Sequence, residues 1–168
     1  MPCHSLQPGL TFSRSVVVDE FLTAPSLARP FAGFAEMPPV FATAFMVGLV
    51  EWTCLEGLRA YLLAGEHTIG TFVDVSHIAT TPIGMRVTAE ARLLAVVGRK
   101  LRFRVLCRDD HELVGEGTHE RTVVHMATFA RRAEAKRAGN APAGAPLARR
   151  SGAGPPGPAG PRQNGRPT

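Results

Sequence analysis

Apolar residues recur at two different periods along this 168-residue chain, and the period changes near residue 65. From Thr43 to about Leu63 the apolar positions are Met46, Leu49/Val50, Thr53/Cys54, Gly57/Leu58 and Tyr61/Leu62, three and four residues apart. That spacing puts them on one side of an α-helix. Such a helix is about 30 Å long at 1.5 Å per residue, enough to cross a domain. Ala64-Gly65-Glu66 ends it, with Gly65 free to take a left-handed cap.

Beyond the helix the period is two. Thr68–Ile78, Met85–Val97, Lys100–Arg108 and Glu112–Met126 read as strands, separated by Thr81-Pro82-Ile83-Gly84, Gly98-Arg99 and Asp109-Asp110-His111. In one of them Leu101, Phe103, Val105 and Cys107 share a face, and Arg102, Arg104 and Arg108 share the other. Such short connections predict consecutive antiparallel hairpins. Ahead of the helix, Leu10–Val18 alternates loosely as a first strand. Thr23–Pro39 carries Pro25, Pro30, Pro38 and Pro39, which predict an irregular connection of the kind that lies over binding sites. Ala127–Arg137 reads as a short charged helix or a frayed end.

One long helix and about five antiparallel strands make an α+β fold. A twisted sheet must cover its apolar face, and only the central helix matches it in length. A sheet wrapped around one long helix is the hotdog architecture. Pairing of two protomers covers its open edges, so a homodimer is expected.

Composition changes this picture at one end only. Apolar content of 45% and charged content of 20% fit a soluble folded protein. The net charge of +5 suggests nucleic acid until it is followed along the chain. After Arg137 come Arg149, Arg150, Arg162 and Arg166 and no acidic residue, which leaves 15 basic against 14 acidic side chains in residues 1–137. A nearly neutral body weakens the reading of an arginine tail that tethers RNA, so no nucleic-acid partner is expected. The same last stretch holds seven of the 14 prolines and seven of the 17 glycines. Ala138–Thr168 is therefore expected to be a disordered tail behind a domain over residues 1–137. Cys3, Cys54 and Cys107 form no CxxC pair, which points to a reducing cytoplasm rather than a disulfide framework or a zinc site. No secretory signal is visible, and no apolar run approaches the ~20 residues needed to span a bilayer.

The candidate chemistry lies on the helix and the strand after it. Glu51 sits among apolar turns, in Phe41-Ala-Thr43-Ala-Phe-Met-Val-Gly48-Leu-Val-Glu51-Trp52. By spacing alone it can be a solvent-facing helix charge, but a carboxylate in such surroundings needs a partner or a task. Gly48, one turn earlier, suggests close approach of a backbone or ligand. Thr43 can cap the helix, and the free N–H groups there can polarise a carbonyl. His77 shares side-chain parity with Ile69, Thr71, Val73 and Val75, hence the inward face of a regular strand. A carboxylate, an imidazole and a hydroxyl converging in an apolar pocket are the parts of acyl transfer or ester-type hydrolysis. Thr118-His119-Glu120-Arg121 resembles the start of a zinc HExxH motif, but position 123 is Val123, so no metal site is expected.

Pro39-Val-Phe-Ala-Thr43-Ala-Phe-Met-Val-Gly-Leu-Val-Glu51-Trp, Ile69-Gly70-Thr71, Ser76-His77-Ile-Ala-Thr-Thr-Pro82 and Gly115-Glu-Gly-Thr-His-Glu-Arg121 resemble the fluoroacetyl-CoA thioesterase family. The resemblance runs in order from about Leu10 to Arg137. It implies a hotdog homodimer that hydrolyses a short-chain acyl-CoA, with the catalytic Thr, Glu and His on Thr43, Glu51 and His77. It places Gly70 and Arg121 at the substrate site, and Met37 where the specialised enzyme has a gating phenylalanine. Glu51 then acts as nucleophile or as base for the attacking water. CoA enters as part of the substrate, with no metal or bound cofactor. The alternative is a non-catalytic acyl-CoA-binding protein on the same fold.

Overall fold

A computed structural model describes residues 5–140, and the expected tail lies, beyond Asn140, outside the described residues. Strands β1 (Thr11–Val17), β2 (Glu66–His77), β3 (Arg86–Val97), β4 (Lys100–Arg108) and β5 (Leu113–His125) form one antiparallel sheet in the order β1-β3-β4-β5-β2. Helix α1 (Thr43–Leu58) lies in the curl of that sheet, and α2 (Met126–Arg137) follows β5 with no buried residue. This is the expected hotdog arrangement.

The alternating rows of the sequence make the core. Met46, Leu49, Val50, Cys54 and Leu58 of α1 meet Val87, Ala89, Ala91 and Leu93 of β3 and Leu101, Phe103, Val105 and Cys107 of β4, all buried. Each large apolar side chain buried this way contributes about 1.5–3 kcal/mol. On the outer face Arg102 pairs with Glu120 and Arg104 with Glu116, exposed pairs of small worth. The β3–β4 hairpin turns on Gly98, whose φ of +58° only glycine adopts at no steric cost. Thr23–Pro39 is irregular as expected, built from short 3-10 turns over Ala24–Ala28 and Ala32–Glu36.

Three expectations are corrected. The helix stops at Leu58, the last residue of its buried stripe, and passes into a 3-10 turn over Arg59–Tyr61. Gly65, at φ +80°, serves the turn into β2 rather than the helix end.

The second correction concerns β2 and β3, which are not a hairpin: β2 pairs with β5, and β3 with β1. Residues 78–85 instead cross the open end of the curled sheet. Ile78 N–H bonds Val114 O, Thr81 O accepts from Phe41 N–H, and Gly84 N–H bonds Val18 O. The segment thus finds a backbone partner at each step from the β5 side to the β1 side.

The third is the parity of β2. A bulge between Gly70 and Phe72 adds a residue, so Thr68 and Gly70 face inward before it, and Val75 and His77 after it. Thr71 bonds the Glu120 carbonyl and sits beside Thr122 on the other face. His77 faces inward, but not in phase with Ile69 and Thr71.

Candidate active site

Thr43 is the first residue of α1, and Ala42 is the N-cap with no side-chain cap bond. The threonine hydroxyl is therefore free to turn to the sheet, where Thr43 Oγ1 and His77 Nδ1 lie 2.8 Å apart. The first N–H groups of a helix have no partner inside it, so those of Thr43 and Ala44 point out beside the hydroxyl. Phe41 packs edge-on against the His77 ring, and His77 Nε2 is buried without a hydrogen-bond partner. Burial pushes the His77 pKa below the ordinary imidazole value, against a smaller opposing pull from the Ala79 backbone. A neutral imidazole here can accept a proton from the hydroxyl or from water.

Thr43 and His77 line a cavity of about 690 Å³. Its walls are mostly apolar: Leu27, Phe34 and Met37 come from the proline-bearing connection, Val40 and Phe41 from the approach to α1, and Ile78 from the crossover. Met37 is half exposed at this cavity, so the predicted gate position does face it.

Glu51, Gly70 and Arg121 form a second cluster. Glu51 Oε1 is 3.7 Å from Arg121 Nη1 and 3.9 Å from His119 Nε2. A Cβ at Gly70 would run into the Glu51 carboxylate, so glycine is what lets β2 lie against it. Arg121 is 2% exposed and donates from Nε to Thr68 Oγ1 at 2.9 Å and from Nη2 to Thr68 O at 2.8 Å. Burial pushes its pKa down, with the charge of Glu51 among the groups pulling it back. Cys54, beside this cluster, has its thiol pushed up to about 12, first by burial, which makes it inert as a nucleophile.

The structure joins Thr43 to His77, and Glu51 to Gly70 and Arg121, but no contact joins the two clusters within one chain. Thr43 and Glu51 are about 12 Å apart along the helix. Glu51 is also less buried than its neighbours suggest: its side chain is 46% exposed, since it faces a stripe of α1 that nothing covers. Gly48 on that stripe has open space around it rather than an approaching backbone. Among the described residues no group of three His, Cys, Asp or Glu side chains could hold a metal ion.

Comparison with known proteins matches residues 23–127 to the model of the fluoroacetyl-CoA-specific thioesterase family. The fluoroacetyl-CoA thioesterase of Streptantibioticus cattleyicolor is 44% identical over 124 residues, 74% of this chain and 89% of that protein. The chain belongs to the fluoroacetyl-CoA-specific thioesterase family. A solved structure of a fluoroacetyl-CoA thioesterase superposes on this family member with a TM-score of 0.77 at 42% identity, over 79% of this chain and 98% of the other. A variant of such an enzyme, solved in complex with fluoroacetate and CoA, superposes at 0.72 with 44% identity, over 74% and 99%.

One residue of this thioesterase-family site escaped the sequence reading. His119, 1% exposed, lies between Arg121 and the bulge of β2, with Nδ1 2.8 Å from Phe72 O and Nε2 3.2 Å from Arg121 Nη1. Burial pushes its pKa below the ordinary value; Arg121 adds to this, and the Phe72 carbonyl, Glu51 and Glu120 oppose it. The signal available was parity: His119 is two residues from Arg121 and so shares its face.

Proposed function

We propose that this chain hydrolyses short-chain acyl-CoA thioesters, fluoroacetyl-CoA among them, to the free acid and CoA, as a homodimer whose sites are shared between subunits. The observation that carries the reading is the Thr43–His77 pair, set in an apolar cavity where a helix begins. A thioester carbonyl placed against the Thr43 and Ala44 N–H groups is polarised. A Glu51 carboxylate oxygen attacks the carbonyl carbon, or takes a proton from the water that does. The C–S bond breaks, and His77 carries a proton to the departing sulfur; where Glu51 itself attacks, water then splits the acyl–Glu51 anhydride, which releases the acid and frees the carboxylate. CoA is part of the substrate, and the scheme uses no metal or separate cofactor. Membership of the family, and the relative held with fluoroacetate and CoA, support the substrate class.

The shared site follows from the gap between the two clusters. Ala44, Gly48, Trp52 and Leu55 form an exposed apolar stripe on α1, and β2, an edge strand, exposes Val73. Such a surface suits a second copy of the same chain. With α1 against its counterpart, Glu51 of the partner subunit meets Thr43 and His77 across the interface.

Thiol release from a panel of acyl-CoAs tests the activity; tight binding without release would leave a non-catalytic binding protein. Mixing tests the sharing. His77→Ala and Glu51→Gln chains, each inactive alone, should regain about a quarter of parental activity on random reassortment, since half the dimers then hold one intact site of two. No recovery in mixed dimers would place the whole site in one chain.

A further inference from the structure

We propose that His119 is a positioning residue for the reaction: a neutral imidazole held in one tautomer, it accepts a hydrogen bond from Arg121 and so aims the guanidinium at Glu51. The inference rests on the reading of Glu51 as a reacting group.

The tautomer follows from the partners. Phe72 O can only accept, so His119 Nδ1 carries the proton and donates across 2.8 Å. Nε2 is then a lone pair, and Arg121 Nη1, 3.2 Å away, donates to it. The bulge in β2 stands directly beside this carbonyl, between Gly70 and Phe72.

Arg121 is thereby held on three sides, by Thr68 Oγ1, Thr68 O and His119 Nε2. All three acceptors are neutral. They satisfy buried N–H groups without cancelling the cation, so its charge is left for the carboxylate 3.7 Å from Nη1. A carboxylate in place of the imidazole would hold the arginine equally well and neutralise it. Both contacts to Glu51 come through Oε1, which leaves Oε2 for the substrate or the attacking water. An imidazolium at His119 would turn an N–H toward Glu51 and compete with Arg121 for the same oxygen.

Three variants separate this role from simple packing. His119→Gln can keep an acceptor near the place of Nε2, His119→Asn keeps only a donor near Phe72 O, and His119→Leu keeps neither. Asn and Leu should lower kcat on the order of 10- to 100-fold with KM changed only a few-fold, the scale of losing a hydrogen bond to a charged group, while Gln retains most of the rate. Thermal melts select the folded variants for comparison. In the parent, nitrogen-15 spectra should show His119 as the neutral Nδ1–H tautomer at pH 7. An Nε2–H or imidazolium signature overturns the proposal, as does equal kcat across the three folded variants. Glu51→Gln measured alongside separates the two ideas. If it is inactive while His119→Leu turns over at the parental rate, only the role of His119 falls; if it is fully active, the site reading falls and this inference with it.

Discussion

At the scale of single residues, the proposed scheme divides the labour among side chains of unequal replaceability. Glu51→Gln keeps the shape of the side chain and removes its charge. It should nearly abolish thioester hydrolysis while acyl-CoA still binds, as read by turnover beside a binding titration. His77→Ala should cost severely as well. Thr43→Ala should cost less, since a hydrogen bond is easier to replace than a proton carrier. Near-parental turnover in a folded Glu51→Gln protein would refute the assignment. His77 also makes a prediction about pH. With its pKa pushed down by burial, it remains neutral below the ordinary imidazole value of about 6.5. Its nitrogen-15 titration midpoint should therefore lie below that of a free histidine, and a midpoint above it would contradict the buried Nε2. Met37 is the place to test selectivity. It stands at the cavity with three rotatable bonds and no flat face. Met37→Phe should raise the ratio of kcat/KM for fluoroacetyl-CoA over acetyl-CoA, by an amount on the order of 10- to 200-fold at most. A parental ratio already in the many thousands would show that no aromatic gate is needed.

At the scale of elements, the crossover over residues 78–85 matters most, because it leaves the strand that carries His77 and bonds the backbone ahead of Thr43. Its anchor is Thr81, fully buried, which donates to Asp109 Oδ2 at 3.0 Å. Burial raises the Asp109 pKa, but bonds from the His111 and Glu112 backbones and the Thr81 hydroxyl outweigh it and leave the carboxyl below its ordinary value. A carboxylate whose folded pKa is depressed adds stability above its unfolded pKa and loses it as pH falls through the folded one. Melting temperature should therefore fall more steeply with acid in the parent than in Asp109→Asn, below about pH 4. Parallel curves would mean that the anchor does not depend on charge. Elements held by local signals were legible in the sequence: β4 begins and ends where its alternation does, and α1 begins at Thr43. The pairing of β2 with β5 was not, because alternation fixes which face a residue takes and says nothing about which distant strand will be its neighbour.

At the scale of the whole molecule, the chain keeps the groups proposed to react in two places. The types of residue in the candidate site come from a hydroxyl, a carboxylate and a histidine set in apolar runs. Their separation was not readable in the sequence, since it depends on how α1 and β2 run past each other. Glu51 looked buried because its sequence neighbours are apolar, yet Leu49 and Val50 face the core while Glu51 lies by the stripe that the chain leaves open. His119 was passed over as part of a failed zinc motif, when its partner was the arginine two residues on. The bulge in β2 has a consequence for descent. One strand here runs in two phases, with Thr68 and Gly70 counted from one end and Val75 and His77 from the other. Pairing the strand regularly with every residue kept would slip its register by one and turn one of the two clusters outward while hardly altering the sheet. A relative of this chain can therefore keep every reacting residue in its sequence, and the whole fold, and still have no site.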